Sequence, residues 1–238
     1  GAGAQFNMGS DFAVLNNLTA NNLVRIGPDN TLSILGSISS VLDGIPVPIE
    51  GGNRSDMFIG GTSSTLIVPH IENGLRTLQI NRANGASLAD NLGLSRLLFL
   101  QNGNITLNTF NLSLANDASI FNPFPTSSFV ETNGTGSLRK YYSSVSPTAF
   151  NYTIGKGAYS PVQVFFSQWT LAPGAYLDAN TKNVIHPYNN CTSDYLKRFW
   201  TFNQSGITSY STNNTFGYDN GDIVGTEANI YGAEWNGT

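Results

Sequence analysis

The sequence predicts an all-β protein: a short parallel β-solenoid followed by an antiparallel, β-sandwich-like subdomain. Three observations carry that prediction. Apolar-x-apolar triplets recur about every 20 residues between Thr77 and Ile120. Helical periodicity is nearly absent. Past residue 126 the strands become longer, more aromatic and alternating. The first lane of the repeat reads Leu78-Gln-Ile80, Leu98-Phe-Leu100 and Ala118-Ser-Ile120. A second runs from Ala86-Ser-Leu88 to Ile105-Thr-Leu107, and a third from Leu92-Gly-Leu94 to Leu112-Ser-Leu114. Three short strands per rung of about 20 residues, returning in register and punctuated by Asn-Gly, Asp-Asn and Asn-Asp, are the arithmetic of a solenoid.

Upstream, Met57-Phe-Ile59 and Leu66-Ile-Val68 each sit about one rung before a triplet of the repeat. Phe12-Ala-Val14, Leu23 to Ile26 and Leu32-Ser-Ile34 extend the pattern towards the start. The segment from Gly44 to Glu50 carries two prolines, which cannot donate to a ladder, and is expected at an edge or in a loop. About five or six rungs at ~4.8 Å each give a rod of roughly 25–30 Å. Phe121-Asn-Pro-Phe-Pro-Thr126 changes the texture and is expected to close the repeat, so residues 1–126 form the solenoid and 127–238 the second subdomain. There, strands are expected over Ser137–Tyr142, Phe150–Ile154, Val162–Phe166, Arg198–Phe202 and Thr215–Tyr218, with turn residues between them. Ser193–Trp200 fits a short helix or a strand equally well.

Only 11% of the residues are charged, and the net charge is −4. Ordinary globular domains carry about 25%, so Asn, Ser, Thr and Gly supply the polarity here. Nothing in that balance marks a surface for nucleic acid or anionic lipid. Cys191 is the single cysteine, which rules out an internal disulfide. No apolar run approaches the ~20 residues of a membrane helix. The opening Gly1-Ala-Gly-Ala4 reads as the start of a piece excised from something longer.

Three blocks of the second half resemble a module of very large surface and secreted proteins of Bacteroidota. They are Val130 to Lys140, Tyr152 to Val162, and Ser193 to Thr201 together with Asp222 to Gly232. Such proteins include gliding-type adhesins and other cargo of the type 9 secretion system, and Leu97 to Ile120 is similar to the Leu-Thr-Leu-rich rungs that precede the module in them. The resemblance implies a secreted or cell-surface address and a structural or adhesive role. It supplies no catalytic residues. It also implies that the last block continues beyond Thr238, so that the second subdomain is truncated at its C-terminal end.

Candidate chemistry is thin. Asp43, Glu50, Asp219, Asp222, Glu227 and Glu234 are the acids with any claim to paired carboxylate work. Asp219-Asn-Gly-Asp222 reads first as a hairpin turn and only second as a Ca²⁺ loop, which needs acids at alternate positions. A solenoid lyase needs a base beside acidic ligands; Arg25, Arg54, Arg76, Arg82 and Arg96 are the bases of the repeat, and no Lys precedes Lys140. His70, His186 and Cys191 lack the partners of a triad, a zinc site or an activated thiolate. No catalytic residue, cofactor or metal is assigned.

Aromatic residues crowd the second subdomain, and Trp169, Tyr176, Tyr188 and Trp200 are the candidates for contact with a glycan or a partner. Strand alternation, however, places Phe199 with Thr201 on one face and Trp200 with Phe202 on the other, and one face must be core. Ten Asn-x-Ser/Thr sequons are present; in a bacterial chain they are turn residues, and in an archaeal or eukaryotic one they are glycan sites. Asn84 and Asn104, like Asn91 and Asn111, lie one rung apart and are candidates for an amide ladder tying rungs together. These readings converge on a non-catalytic structural or adhesive segment, a stiff spacer able to stack into filaments. Its expected partners are neighbouring modules, further copies of itself and surface glycans. The alternative is a carbohydrate-binding or carbohydrate-active solenoid module.

Overall fold

A computed structural model describes residues 5–20, 22–39, 41–42, 45–46, 48–144 and 148–235. In chain order, the first rung is β1 (Phe6–Asn7), β2 (Phe12–Val14) and β3 (Asn17–Thr19). The second is β4 (Val24–Arg25), β5 (Thr31–Ile34) and β6 (Ser37–Ser39). A two-stranded antiparallel excursion follows, β7 (Val41–Leu42) and β8 (Ile45–Pro46), where the proline-rich loop was expected. In the next three rungs one long strand spans two lanes: β9 (Ile49–Ile59) then β10 (Leu66–Val68), β11 (Ile71–Asn81) then β12 (Ala86–Leu88), and β13 (Leu92–Asn102) then β14 (Ile105–Thr106). The sixth rung is β15 (Leu112–Leu114), β16 (Ser119–Phe121) and β17 (Val130–Glu131), and the last is β18 (Leu138–Tyr141), β19 (Ala149–Tyr152) and β20 (Ile154–Gly155). Then come β21 (Val162–Lys182), β22 (Tyr195–Leu196), β23 (Phe199–Phe216), a 3-10 turn at Asn220–Asp222, β24 (Ile223–Val224) and a second 3-10 turn at Glu227–Asn229.

The chain is all-β, and its solenoid makes about seven turns. Rungs pair in parallel: Leu32 opposite Met57, Met57 opposite Leu78, Leu78 opposite Leu98. Every one of those side chains is buried, as are Ile34, Ile59, Ile80 and Leu100 two residues on. Alternation therefore sends one residue in two into a single continuous core. At the corner between the first and second lanes of the repeat the Asn-Gly turns are used as the sequence implies. Gly85 and Gly103 hold φ of +65° and +85°, and a Cβ on either would strike backbone of the neighbouring rung.

Two features depart from the sequence reading. The parallel ladders do not stop at Phe121–Thr126: Ile105 pairs with Val130, Val130 with Ile154, and Leu112 with Leu138. The Pro-Phe-Pro segment is a loop between β16 and β17, with Phe124 exposed, and about seven rungs make a rod of ~34 Å rather than 25–30 Å. The second concerns register. Leu98 faces Ile120, not Ala118, a slip of two residues. The extra residues go into a tight corner in which Ala118 N–H donates to the Ala115 carbonyl. Carbonyls of that corner are gathered by Lys140, whose buried ammonium donates to Ala115 O, Asn116 O and Ala118 O at 2.6, 2.7 and 2.7 Å.

Lys140 gives the fold a pH signature. Burial pushes its pKa from 10.5 down to about 8. Below about pH 8 both folded and unfolded chains hold the proton, and the cost of burying the charge is present in full. Between about 8 and 10.5 the folded state releases its proton first, so stability rises with pH, by on the order of 3 kcal/mol if that window were completed. Above pH 10 buried Tyr142, pushed up to about 12, reverses the trend, because the unfolded chain then ionises its tyrosine first. Urea midpoints measured from pH 7 to 9.5 are expected to climb in the parent chain and to climb less steeply in Lys140→Met.

The antiparallel strands do not start a separate sheet. β21 pairs antiparallel with β18 through Tyr176–Ala179 and with β19 through Val162–Phe165, and β23 pairs antiparallel along β21. Together they extend the solenoid's own thirteen-stranded sheet, whose opposite edges are β1 and β2 at one end and β23 at the other. Ser193–Trp200 resolves as strand: β22, which pairs with β24, and the start of β23.

Candidate functional site

The aromatic candidates fall in three places. Trp169 packs partly buried against the core, 4.8 Å from the Phe166 ring and 5.4 Å from Tyr142. Trp200 also packs against the core; its Nε1–H donates to the Ser160 carbonyl at 2.9 Å and its ring meets Phe216 at 4.8 Å. Phe202 reaches the same Phe216, while Phe199 faces His186, so the expected alternation holds. Both tryptophans spend most of their surface on packing. Tyr176 lies under the Arg139 guanidinium, 3.7 Å from its ring centroid, while Arg139 is held by two hydrogen bonds to Asp178 at 2.7 and 2.9 Å. That arrangement fastens β18 to β21.

Only Tyr188 stands out in solvent, at 63% exposure, and it brings a residue the sequence reading missed. Trp235 stacks on it with ring centroids 4.2 Å apart and planes 19° from parallel. His186 sits against both rings and against Phe199. Nothing local in the sequence links Tyr188 to Trp235, which lies 47 positions further on. The neighbouring Ile185 lines a shallow depression of about 490 Å³ with Asn183, Val184, Lys197, Gly221 and Asp222. Asp222 in its lining is held from within: Arg198 is fully buried and donates to Asp222 at 2.6 Å and to the Lys156 carbonyl at 3.3 Å. Asp219-Asn-Gly-Asp222 is a capped 3-10 turn and not a hairpin. Asp219 accepts from Gly221 N–H, and Asp222 turns inward to Arg198. Exposed aromatic faces, aliphatic walls and the exposed Lys197 are groups that contact sugar rings.

Several of the remaining candidates are joined to partners. Glu50 pairs with Arg25, Asp90 with His70, and Glu227 accepts from the Tyr218 hydroxyl. Arg54, Asp29, Arg76 and Asp56 form one ionic string across three rungs. Asp43 lies outside the described residues. Among the described residues, no three His, Cys, Asp or Glu side chains gather as metal ligands.

The asparagines tie rungs by a different route from an amide ladder. Asn91 Oδ1 accepts the backbone N–H of Asn111 at 2.8 Å, and Asn111 Oδ1 accepts that of Ser137 at 2.9 Å. Asn84 reaches back to Ser63 O, whereas Asn104 Oδ1 reaches forward to Phe129 N–H. Side-chain amides meet one another elsewhere, where Asn133 Nδ2 donates to Asn108 Oδ1 at 3.0 Å. The sequence signal was sound in spacing but silent on which group each amide would meet. Asn111→Ala is expected to cost about 1 kcal/mol, a lost hydrogen bond plus an orphaned Ser137 N–H; an unchanged thermal midpoint would remove the tie.

No protein-family model matches the chain, and no curated protein or solved structure is significantly similar to it.

Proposed function

We propose that this chain is a non-catalytic structural segment of a secreted or cell-surface protein, a stiff spacer that holds neighbouring modules apart. The observation that carries the reading is the single core that runs through about seven rungs, with one lane paired without a break from β1 to β18. Cations bind neighbouring rungs at the corners: Arg82 and Lys140 inside, the Arg54–Asp29–Arg76–Asp56 string outside. A rod in which each rung hydrogen-bonds the next resists bending, because bending must open ladders on one side. The cell-surface address rests on the resemblance in the second half and on a surface of Asn, Ser, Thr and Gly with little charge.

A second reading has its own observation, the Tyr188–Trp235 pair beside the depression, and makes the chain a carbohydrate-binding module. A glycan array combined with a reducing-sugar release assay separates the two. The spacer reading expects neither binding nor release. Any turnover overturns it, and binding that disappears in Tyr188→Ala and Trp235→Ala establishes the second.

A further inference from the structure

The two ends of the large sheet match each other. β21 runs antiparallel to β18, and β23 antiparallel to β21, so β23 runs in the same direction as the rungs. It also passes the lanes in the same order. Phe202 lies opposite Ala179, which faces Leu138 of the lane begun by β1. Asn214 lies opposite Val164, which faces Phe150 of β19, the strand that takes the place of β2 in the chain order. β23 is therefore the imitation of a further rung, laid on the end of the solenoid.

Its outer edge is open among the described residues, where β23 pairs with β21 alone. At the other end, among the described residues, β1 pairs only with β4, β2 only with β5 and β3 only with β6. Open edges are ordinarily blunted by charge or proline. Across its 18 residues β23 has neither, and β1, β2 and β3 have neither. Both edges instead expose apolar side chains: Phe6, Phe12 and Leu15 at one end, Phe202, Tyr210 and Phe216 at the other.

We propose that copies of this chain associate head to tail, with β23 of one copy adding as a parallel strand to β1 and β2 of the next. Direction and lane order select this partner over an arbitrary peptide, since the incoming strand would be paired as every rung inside the solenoid is paired. The lanes lie 12 positions apart on β23 (Phe202 to Asn214) and 6 apart on the first rung (Phe6 to Phe12). The stretch from Gly206 to Ser211 therefore arches over the corner. It is already irregular there, with positive φ at Gly206 and Ser209. Because the two edges differ and sit at opposite ends, the contact is heterologous and does not close.

This inference deepens the spacer reading and rests on it, and scattering from dilute samples reads the rod separately from its association. Light scattering and sedimentation over a concentration series are expected to show the average mass of the parent chain rising without a plateau. Phe12→Lys with Leu15→Lys blocks one edge, and Ser205→Lys with Asn214→Lys blocks the other; circular dichroism checks that each variant folds. Each variant alone should stay at the monomer mass of 25.5 kDa. An equal mixture of the two should form a species of twice that mass and nothing larger, since one intact edge of each kind remains. A parent chain that is monomeric at every concentration overturns the proposal. So does a closed dimer, or assembly that persists in either variant.

Discussion

Arg82→Met is expected to lower stability by about 3–5 kcal/mol, the largest loss from any single side chain in the solenoid. Arg82 is 1% exposed and points into the corner between the first and second lanes of the repeat. Its Nε donates to Gly60 O at 2.7 Å, Nη1 to Ser64 O at 2.7 Å, and Nη2 to Leu35 O and Gly36 O at 2.9 and 2.5 Å. Those four carbonyls belong to two earlier rungs and point away from the ladders. No carboxylate is involved, so the guanidinium serves as a bundle of fixed donors and burial pulls its pKa down from the usual arginine value. Methionine fills much of the space but leaves the carbonyls unpaired, at about 1–3 kcal/mol for each that water cannot reach. For a chain of this size the thermal midpoint should fall by roughly 10 °C or more. Arg82→Lys, with fewer donors on a differently shaped head, should recover part of the loss. A loss below about 1 kcal/mol in Arg82→Met would mean that the corner carbonyls hydrate freely and that the clamp is not needed.

Arg198→Met is expected to cost a similar amount but to act locally. Arg198 and Asp222 are buried together, with side-chain exposures of 0% and 8%. Removing one partner strands the other charge away from water, typically about 3–5 kcal/mol. The pair holds the start of β23 to the 3-10 turn at Asn220–Asp222, and its loss frees the segment that carries Tyr188 and Trp235. Hydrogen exchange should therefore accelerate across residues 183–235 while β10 to β14 keep their protection. Pairing Arg198→Met with Asp222→Leu should restore much of the stability, because an apolar pair carries no desolvation cost. Equal acceleration in the solenoid would overturn the local reading.

The lanes of the solenoid were legible because two simple periods coincide: alternation within a strand and a return about every 20 residues. Met57, Leu78 and Leu98 announce each other by spacing alone. Where the corner absorbs extra residues, as between Leu114 and Ser119, spacing misleads by two positions, and the compensating group, Lys140, lies in the next rung. The corner cations carried no mark in the sequence: Arg82 looks like any of five solenoid arginines until three rungs are stacked. Aromatic composition likewise named the right region but not the site. Trp169 and Trp200 are spent on packing, Tyr176 on Arg139, and the exposed pair needed Trp235, which only the folded chain brings to Tyr188.

The spacing of the ladder also sets the order in which the molecule assembles. Leu78 and Leu98, or Ile67 and Ser87, are partners only 20 positions apart, a short loop to close for an all-β chain. Each new rung needs only the rung before it as a template, so the solenoid can zip from its first turns while the rest of the polypeptide is still emerging from a ribosome or a pore. The last strands break that rule. Val162 meets Phe216 across 54 positions, and β18 waits for β21. Closure of the hairpin is therefore expected to be the slow event, one that leaves the growing end of the rod unpaired and open to the wrong strand until it happens.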